Sequence, residues 1–442
     1  MSEPAAAPGL PPHDRELEAR VAVKLRWRIL PFVMLLYFIS FLDRVNVGFA
    51  AFSMNKALGL TPAMFGFGSG IFFAGYIVFQ VPSNLILLRM GARRWIARVV
   101  VAWGVVSMAS AFVVGPHSFY VMRFMLGLAE SGFFPGTLLY LSFWFPDRQR
   151  AQAIAAFMAA APLSSAIGSP ISGALMELPA FAGLANWQWL YLIEALPAIL
   201  LGFVALKVLA DTPEQAAWLG ADEREWLTKT LAAERATHTQ HENSAAAVWA
   251  VLRDPRMLAI ALVYSGTSAG LYSLGFWSPL LIKQFGYSAM TVGWLNALPS
   301  VVAVVGMVIW ARHSDRTLER TWHVAIPCLL GCAGLVWAGY AQAAPAVILA
   351  LAIASFGVNG AKGPLWAMQS LFLSGASAAA GIALINSLGN LGGFLGPLVL
   401  GWIKERWGSY AGGLCVVGAM MALSAIAIVA LRQRIGRASV QA

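Results

Sequence analysis

Residues 65–94 read FGFGSGIFFAGYIVFQVPSNLILLRMGARR, an apolar run that stops at a basic loop. Residues 65–88 contain no charged side chain, and a helix of this length, rising about 1.5 Å per residue, crosses the ~30 Å hydrocarbon core of a bilayer. Three arginines follow at once: Arg89, Arg93 and Arg94. Because short cytoplasmic loops carry an excess of Lys and Arg, the stretch predicts a membrane helix that ends in the cytoplasm.

The rest of the chain has the same character. Of its 442 residues 59% are hydrophobic and 11% charged, and the mean hydropathy is +0.70, which leaves too little polar surface for a water-soluble globule. Twelve apolar stretches are long enough to cross a membrane, and we number them span one to span twelve. They lie at residues 29–50, 65–88, 95–114, 118–141, 151–176, 189–209, 258–282, 290–311, 323–342, 345–372, 378–402 and 411–431. An all-α membrane protein is predicted.

A second copy of the basic loop divides the chain in two. Residues 315–320 read DRTLER after span eight, and place Arg316 and Arg320 where the first loop has Arg89 and Arg93. Two pseudo-symmetric six-helix bundles are therefore predicted. The predicted organisation is a tail at 1–28, a bundle at 29–210, a cytoplasmic central loop with an amphipathic helix at 211–256, a second bundle at 257–431 and a tail at 432–442.

Basic residues set the predicted orientation. They cluster before span one and after spans two, four, eight and twelve, so both termini are predicted to be cytoplasmic in a bacterial inner membrane. The net charge of +10 is dispersed over these helix ends, which argues against a nucleic-acid surface. The three cysteines lie within spans nine and twelve, away from any histidine at metal-ligand spacing, and no metal or other cofactor is expected.

Four motifs carry a resemblance to known transporters. They are LDRVN at 42–46, VPSN at 81–84, RF at 123–124 followed by ESGFFP at 130–135, and FWSP at 276–279. With the two basic loops, they make the chain resemble the major facilitator superfamily, and within it the anion:cation symporter family. The resemblance implies uptake of an organic anion such as tartrate, a sugar acid or a phthalate together with protons. Leu88 stands where the superfamily signature usually has Asp, which leaves the gating interaction of that Asp open in the first half.

Five ionisable residues stand out within the apolar stretches: Asp43, Arg44, Arg123, Glu130 and Lys362. Such groups are unfavourable at membrane depth unless they face a partner or water. Asp43 and Arg44 lie about 21 to 22 Å along span one, toward its outer side. Arg123 is expected at a similar depth, with Glu130 about 10 Å away on the same face of span four. A row of charge along a transport pathway is predicted.

The charges predict roles for these side chains. Arg44 and Arg123 are expected to bind the substrate carboxylate, because a guanidinium stays protonated and holds a carboxylate through two parallel hydrogen bonds. Asp43 and Glu130 are expected to exchange the proton, since burial favours the neutral carboxyl and a nearby arginine favours the ionised one. The resemblance implies the same roles. Static salt bridges, Asp43 with Arg123 or Glu130 with Arg44, are the alternative.

The second half is more weakly marked. Residues 359–366 read NGAKGPLW, and their Gly and Pro predict an interrupted helix that lines the cavity. Lys362 is expected either to face a second carboxylate or to extend to the surface. The resemblance places Trp366 and Asn386 near the substrate, with packing against lipid or a neighbouring helix as the alternatives. Tyr76, in the middle of span two, is expected to hydrogen-bond a hydroxylated substrate or a local partner.

These observations predict a carrier that works by alternating access about a midplane site. A proton gradient would drive it, and its partners would be the small anion, protons and lipid, with the chain as a monomer. Loop residues are expected to form salt bridges that open and close the cytoplasmic side: Arg89, Arg93, Asp315, Arg316 and Arg320. Two alternatives are a proton-driven exporter of drugs or metabolites and a nutrient sensor. No Ser/His/Asp or His/Glu spacing falls within the spans, so an enzyme is not expected.

Overall fold

The computed structural model describes residues 12–239, 254–369 and 376–441, which are almost entirely helical. Spans one to six comprise Leu30–Val45 with Val47–Ala57, Pro62–Met90, Ala92–Ala109, Pro116–Glu130 with Phe133–Ser142, Asp147–Met158 with Ala160–Leu175, and Asn186–Val208. Spans seven to twelve comprise Pro255–Lys283, Ala289–Thr317, Thr321–Tyr340, Ala344–Gly360 with Lys362–Gln369, Ala376–Trp407 and Ala411–Gln441. Within the described residues, eleven helical segments are long and apolar enough to cross a membrane. The predicted all-helical fold is confirmed.

Two further helices lie outside the spans. Pro12–Arg28 precedes span one, and Ala221–Thr239 lies in the polar segment between the halves. Lys24 of the first helix forms an ion pair with Glu223 of the second at 2.7 Å. This contact fastens the segment between the halves to the start of the first bundle.

Several spans are interrupted close to charged residues. Span one breaks at Asn46, directly after the Asp43 and Arg44 pair, and span four breaks directly after Glu130. The interruption predicted for span ten is present at Ala361, next to Lys362. Breaks of this kind free backbone groups, which are tolerated at membrane depth where protein or water satisfies them.

The two bundles pack through spans two and eleven and through spans five and eight. Glycines allow the backbones to approach. A Cβ at Gly173 of span five would lie 2.6 Å from the carbonyl oxygen of Ala289, and one at Gly70 of span two 2.8 Å from that of Phe394. Any side chain at these positions would push the bundles apart, so small residues are required at the contact.

Two carboxylates join the bundles at the end of the molecule that carries Glu177 and Glu405, which we call the far end. The end that carries the loops at 89–94 and 315–320 is the basic end. Glu405 of span eleven accepts a hydrogen bond from the Ala63 N–H at 2.8 Å, and Glu177, just after span five, accepts one from the Met290 N–H at 2.9 Å. Each glutamate caps the second helix of the opposite bundle, where the helix dipole favours negative charge. The far end is therefore closed.

The pKa directions of the two glutamates predict that the closure at the far end depends on pH. Both glutamates lie outside the predicted apolar stretches. The Met290 N–H lowers the pKa of Glu177 below its ordinary value of 4.5, and the Thr61 hydroxyl, together with the Ala63 N–H, lowers the pKa of Glu405. A carboxyl pKa that is lower in the closed state means that the ionised carboxylate stabilises this state. The stabilisation is thus complete above the ordinary value and is lost as the pH falls through the lowered values.

This closure is measurable as a distance between spin labels on cysteines introduced at Lys56 and Gln284, which end spans one and seven at the far end. We expect one short distance at pH 7 and a growing long component below about pH 4.5. The double variant Glu177→Ala with Glu405→Ala should show the long component already at pH 7, whereas Glu225→Ala, an exposed control, should not. A short distance in the double variant at every pH would contradict the assignment.

Candidate substrate and proton site

The first half contains a buried ion pair. Arg44 Nε donates to Glu130 Oε2 at 2.6 Å, and the Ser40 hydroxyl donates to the same oxygen at 3.3 Å. Both charged side chains are buried, and each retains an unpartnered polar atom, Arg44 Nη2 and Glu130 Oε1. A buried pair with spare donors and acceptors can exchange partners, because a newly bound anion or proton finds unfilled hydrogen-bonding positions.

Aromatic side chains hold the Arg44 guanidinium in place. It lies 5.4 Å from the ring centre of Phe72 and 5.1 Å from that of Tyr76, both on span two. Arg44 Nη1 also donates to the Tyr272 hydroxyl of span seven at 3.3 Å. Tyr76 therefore contacts the cation through its ring, and Tyr272 connects this cation of the first bundle to the second bundle.

Arg123 has a different environment. It is 2% exposed, and among the described residues none of its three guanidinium nitrogens has a hydrogen-bond partner. Its guanidinium lies 5.2 Å from the ring centre of Phe72 and 5.7 Å from that of Phe276. Within the described residues no ion pair joins it to Asp43, one of the two salt bridges that were the alternative to transport roles. A buried guanidinium without partners is costly, and an incoming carboxylate would supply the missing acceptors.

Asp43 is fully buried beside this group. Its Oδ1 accepts a hydrogen bond from the Ser107 hydroxyl of span three at 3.0 Å, and its Oδ2 has no partner. The neighbouring Asn46, at the break in span one, is also buried with both amide atoms unpartnered. An ionised carboxylate in such a place is unfavourable, so the site suits a group that binds and releases a proton.

The candidates of the second half form a separate group. Lys362 is partly exposed, and its Nζ lies 3.4 Å from Asn359 Oδ1. Trp366 packs edge to face against Tyr264 at 5.5 Å, with its indole nitrogen unpartnered, and Asn386 is buried. In the part of the chain that the structure describes, no hydrogen bond or ion pair joins Lys362, Trp366 or Asn386 to the arginines. Their predicted roles stay predictions.

The second basic loop makes contacts within its own half. Arg320 forms an ion pair with Asp315 at 2.6 Å, and its Nη1 also donates to the Ser314 hydroxyl at 2.8 Å. Arg316 is exposed, as is Arg89 in the first loop. These contacts order the second loop, and the predicted role of the five loop residues as a gate stays a prediction.

Span three is capped by a carboxylate that is not part of the basic-loop motif before it. The backbone N–H of Arg93 donates to Asp211 Oδ1 at 2.8 Å, and Asp211 follows span six. Leu88, which stands in place of the signature Asp, is exposed. The helix that begins after the first loop thus receives its carboxylate from the segment between the halves.

Sequence reasoning missed one buried acid. Glu194 lies in the middle of span six, 3% exposed, and accepts a hydrogen bond from the Ser172 hydroxyl at 2.6 Å. The criterion that selected Asp43, an ionisable side chain inside an apolar stretch, would have found it. Tyr272 was not among the sequence candidates, because its contact with Arg44 depends on the tertiary structure.

Comparison with known proteins decides the family. The sequence model described as Major Facilitator Superfamily matches residues 33–397. The chain belongs to the major facilitator superfamily. It is therefore a transporter rather than an enzyme, and its twelve-helix, two-bundle fold is the fold of the superfamily.

Two superfamily relatives bear on the substrate. An Agrobacterium vitis protein named "Putative tartrate transporter" is 59% identical over 93% of this chain and 91% of its own length. An Acinetobacter baumannii protein named "Quinolone resistance transporter" is 37% identical over 92% of this chain and 93% of its own length.

Solved structures of the superfamily share the fold. The crystal structure of a D-xylose-proton symporter matches 91% of this chain and 97% of its own with a TM-score of 0.73, at 16% identity. Identity this low supports the architecture alone.

Proposed function

We propose that the protein is a symporter that takes up a small organic carboxylate together with protons, with tartrate as the first substrate to test. The observation that carries the proposal is the arrangement of three buried charges: Arg44 paired with Glu130, and Arg123 unpaired beside the same Phe72 ring. The 59% identity to the tartrate-named relative supports the substrate class.

The mechanism couples anion and proton through exchange of partners. The substrate carboxylate binds the free donors of Arg123 and competes with Glu130 for Arg44. Glu130 then loses its cation in buried surroundings, where an ionised carboxylate without a partner is unfavourable, and binds a proton. Release of the substrate returns Arg44 to Glu130, which expels the proton. The anion and the proton therefore move together.

Other side chains position the substrate. Tyr76 and Tyr272 offer hydroxyls next to Arg44, suited to the hydroxyl groups of a hydroxy acid. Trp366, Asn386 and Lys362 of the second bundle would complete the site when the bundles close around the substrate. Asp43 would bind a second proton.

The closed far end fits the transport cycle. The basic end lies in the cytoplasm of a bacterial cell under the positive-inside rule, so the far end faces outward. A carrier closed at its outer end cannot exchange substrate with the outside, so this state belongs to the closed or cytoplasm-facing part of the cycle. We place the protein in the inner membrane as a monomer with both termini cytoplasmic.

Export is the second candidate. The 37% identity to the quinolone-resistance relative favours it, as do the rings that surround the two arginines, since quinolones are aromatic carboxylates. A proton-driven exporter would use the same cations but exchange the outgoing anion for an incoming proton, so that anion and proton would compete for the site instead of binding together. Direction and substrate therefore have to be measured together.

The test is uptake of radiolabelled tartrate, galactonate, phthalate and a quinolone into proteoliposomes that contain the purified chain. With an inward proton gradient we expect tartrate to accumulate above its outside concentration and to leak out when a protonophore is added. Empty liposomes are the control. Tartrate that never accumulates, with quinolone moving against the proton gradient, would replace uptake by export.

A further inference from the structure

Glu194 is a buried acid that the exchange between Arg44 and Glu130 does not use. Its Oε1 accepts the hydrogen bond from Ser172 of span five, whereas its Oε2 is buried without a partner. In the described part of the chain no cation forms an ion pair with it. An ionised carboxylate would be costly there, and a protonated one would not.

One neighbour of Glu194 lies on span one, close in sequence to Asp43. The Asn46 side chain of span one lies beside Glu194, and the charges of Glu194 and Asp43 repel each other when both are ionised. Tyr191, one turn earlier on span six, is the other titratable group against Glu194, and Arg123 acts on that tyrosine. Asp43 and Asn46, three residues apart, lie on the same side of span one, and within the described residues each of the two carboxyls has one unpartnered oxygen.

Glu194 lies nearer the far end than Asp43 does. Glu194 follows Asn186, the far-end terminus of span six, by eight residues, or about 12 Å of helix. The Ser53 hydroxyl donates to Asn186 Oδ1 at 2.7 Å, so these two residues lie at the same depth, and Asp43 precedes Ser53 by ten residues, or about 15 Å of helix. Glu194 therefore lies between the far end and the group formed by Asp43, Arg44 and Glu130.

We propose that Glu194 is a third proton-binding group, the first that a proton entering from the far end reaches. The proposal rests on the proposed symport. The proton binds Oε2 while Ser172 keeps its bond to Oε1. It then passes to the free Oδ2 of Asp43, which leaves Glu194 ionised and Asp43 neutral. The mutual repulsion of the two carboxyls favours one shared proton over none.

A purely structural role is the competing explanation. The hydrogen bond between Ser172 and Glu194 fastens span five to span six, and loss of that fastening would slow every transport mode. Glu194→Gln separates the two explanations, because a Gln side-chain oxygen still accepts from Ser172 but does not take up a proton. Ser172→Ala is the matched control, since it removes the fastening and keeps the acid.

The experiment compares two modes of tartrate transport in proteoliposomes. Counterflow exchanges labelled for unlabelled tartrate without net proton movement, and accumulation is driven by a proton gradient. In Glu194→Gln we expect counterflow within twofold of wild type, accumulation lowered by about tenfold, and fewer protons moved per tartrate. Ser172→Ala should keep the wild-type proton count.

Other outcomes overturn the inference. Wild-type accumulation and proton count in Glu194→Gln, or equal loss of counterflow and accumulation, would assign Glu194 to packing alone. Glu194→Asp, which keeps the acid, should recover accumulation at least in part, and its failure to do so beside a working counterflow would count against the proton role. If the wild type accumulates no carboxylate on a proton gradient, the proposed symport itself is wrong. If the wild type accumulates tartrate and Glu194→Gln does so equally well, only the proton role of Glu194 is wrong.

Discussion

Arg123→Ala is expected to lower tartrate uptake by about 100-fold. The substitution removes a bidentate partner of the substrate carboxylate, worth about 3 kcal/mol, and each 1.4 kcal/mol is tenfold in binding. Arg123→Lys should be intermediate, because a lysine keeps the charge without the planar fork. Uptake into proteoliposomes and the concentration dependence of counterflow measure both effects.

The same variant should fold normally. Arg123 makes no hydrogen bond to any residue that the structure describes, so its removal breaks none there and relieves a buried unpartnered cation. We expect a melting temperature in detergent equal to or above that of wild type. Arg94→Ala, in the exposed first loop, is the control and should leave uptake unchanged. Wild-type uptake in Arg123→Ala, or a large loss of thermal stability, would show that this arginine is structural.

Glu130→Gln should separate counterflow from accumulation. The glutamine resembles the protonated glutamate and leaves the cation Arg44 available to the substrate at every pH. We expect counterflow close to wild type and accumulation on a proton gradient lowered by 100-fold or more, the upper part of the range for removal of an acid–base group. The ratio of the two rates in one proteoliposome preparation is the measurement.

Control variants show whether a loss of transport in Glu130→Gln is specific to that residue. Glu225→Gln, on the exposed face of the helix Ala221–Thr239, should behave as wild type in both modes. If accumulation survives in Glu130→Gln, the coupling proton must bind Asp43 or Glu194 instead of Glu130. Loss of both modes would mean that the ion pair with Arg44 holds spans one and four together and nothing more.

Much of the architecture could be predicted because it depends on length and composition. The run at 65–88 was expected to be a helical span, since a continuous apolar run of this length satisfies its own backbone in lipid as a helix, and the interruption at Ala361 followed from the Gly and Pro around it. The choice of Asp43, Arg44, Arg123 and Glu130 as candidates followed from the cost of charge at membrane depth.

The pairing among these charges could not be predicted. Spacing along one helix gives depth and face, which is why Arg123 and Glu130 were expected on one stripe of span four. Which residue of span one meets which residue of span four depends on the rotation and distance of the two helices, and spacing within either helix carries no information about that. Both Glu130 with Arg44 and Asp43 with Arg123 were therefore open, and only the first is present.

The sequence by itself determined that this chain crosses the membrane many times, which end carries the basic loops, and which buried charges are available, because these follow from the transfer of side chains between water and lipid. Only the tertiary structure decided that Arg44 forms an ion pair while Arg123 has none among the described residues. It also decided that Glu194 lies nearer the far end than Asp43, and that Glu177 and Glu405 close that end. Those facts depend on contacts between helices distant in sequence, and such contacts are set by how the two bundles pack.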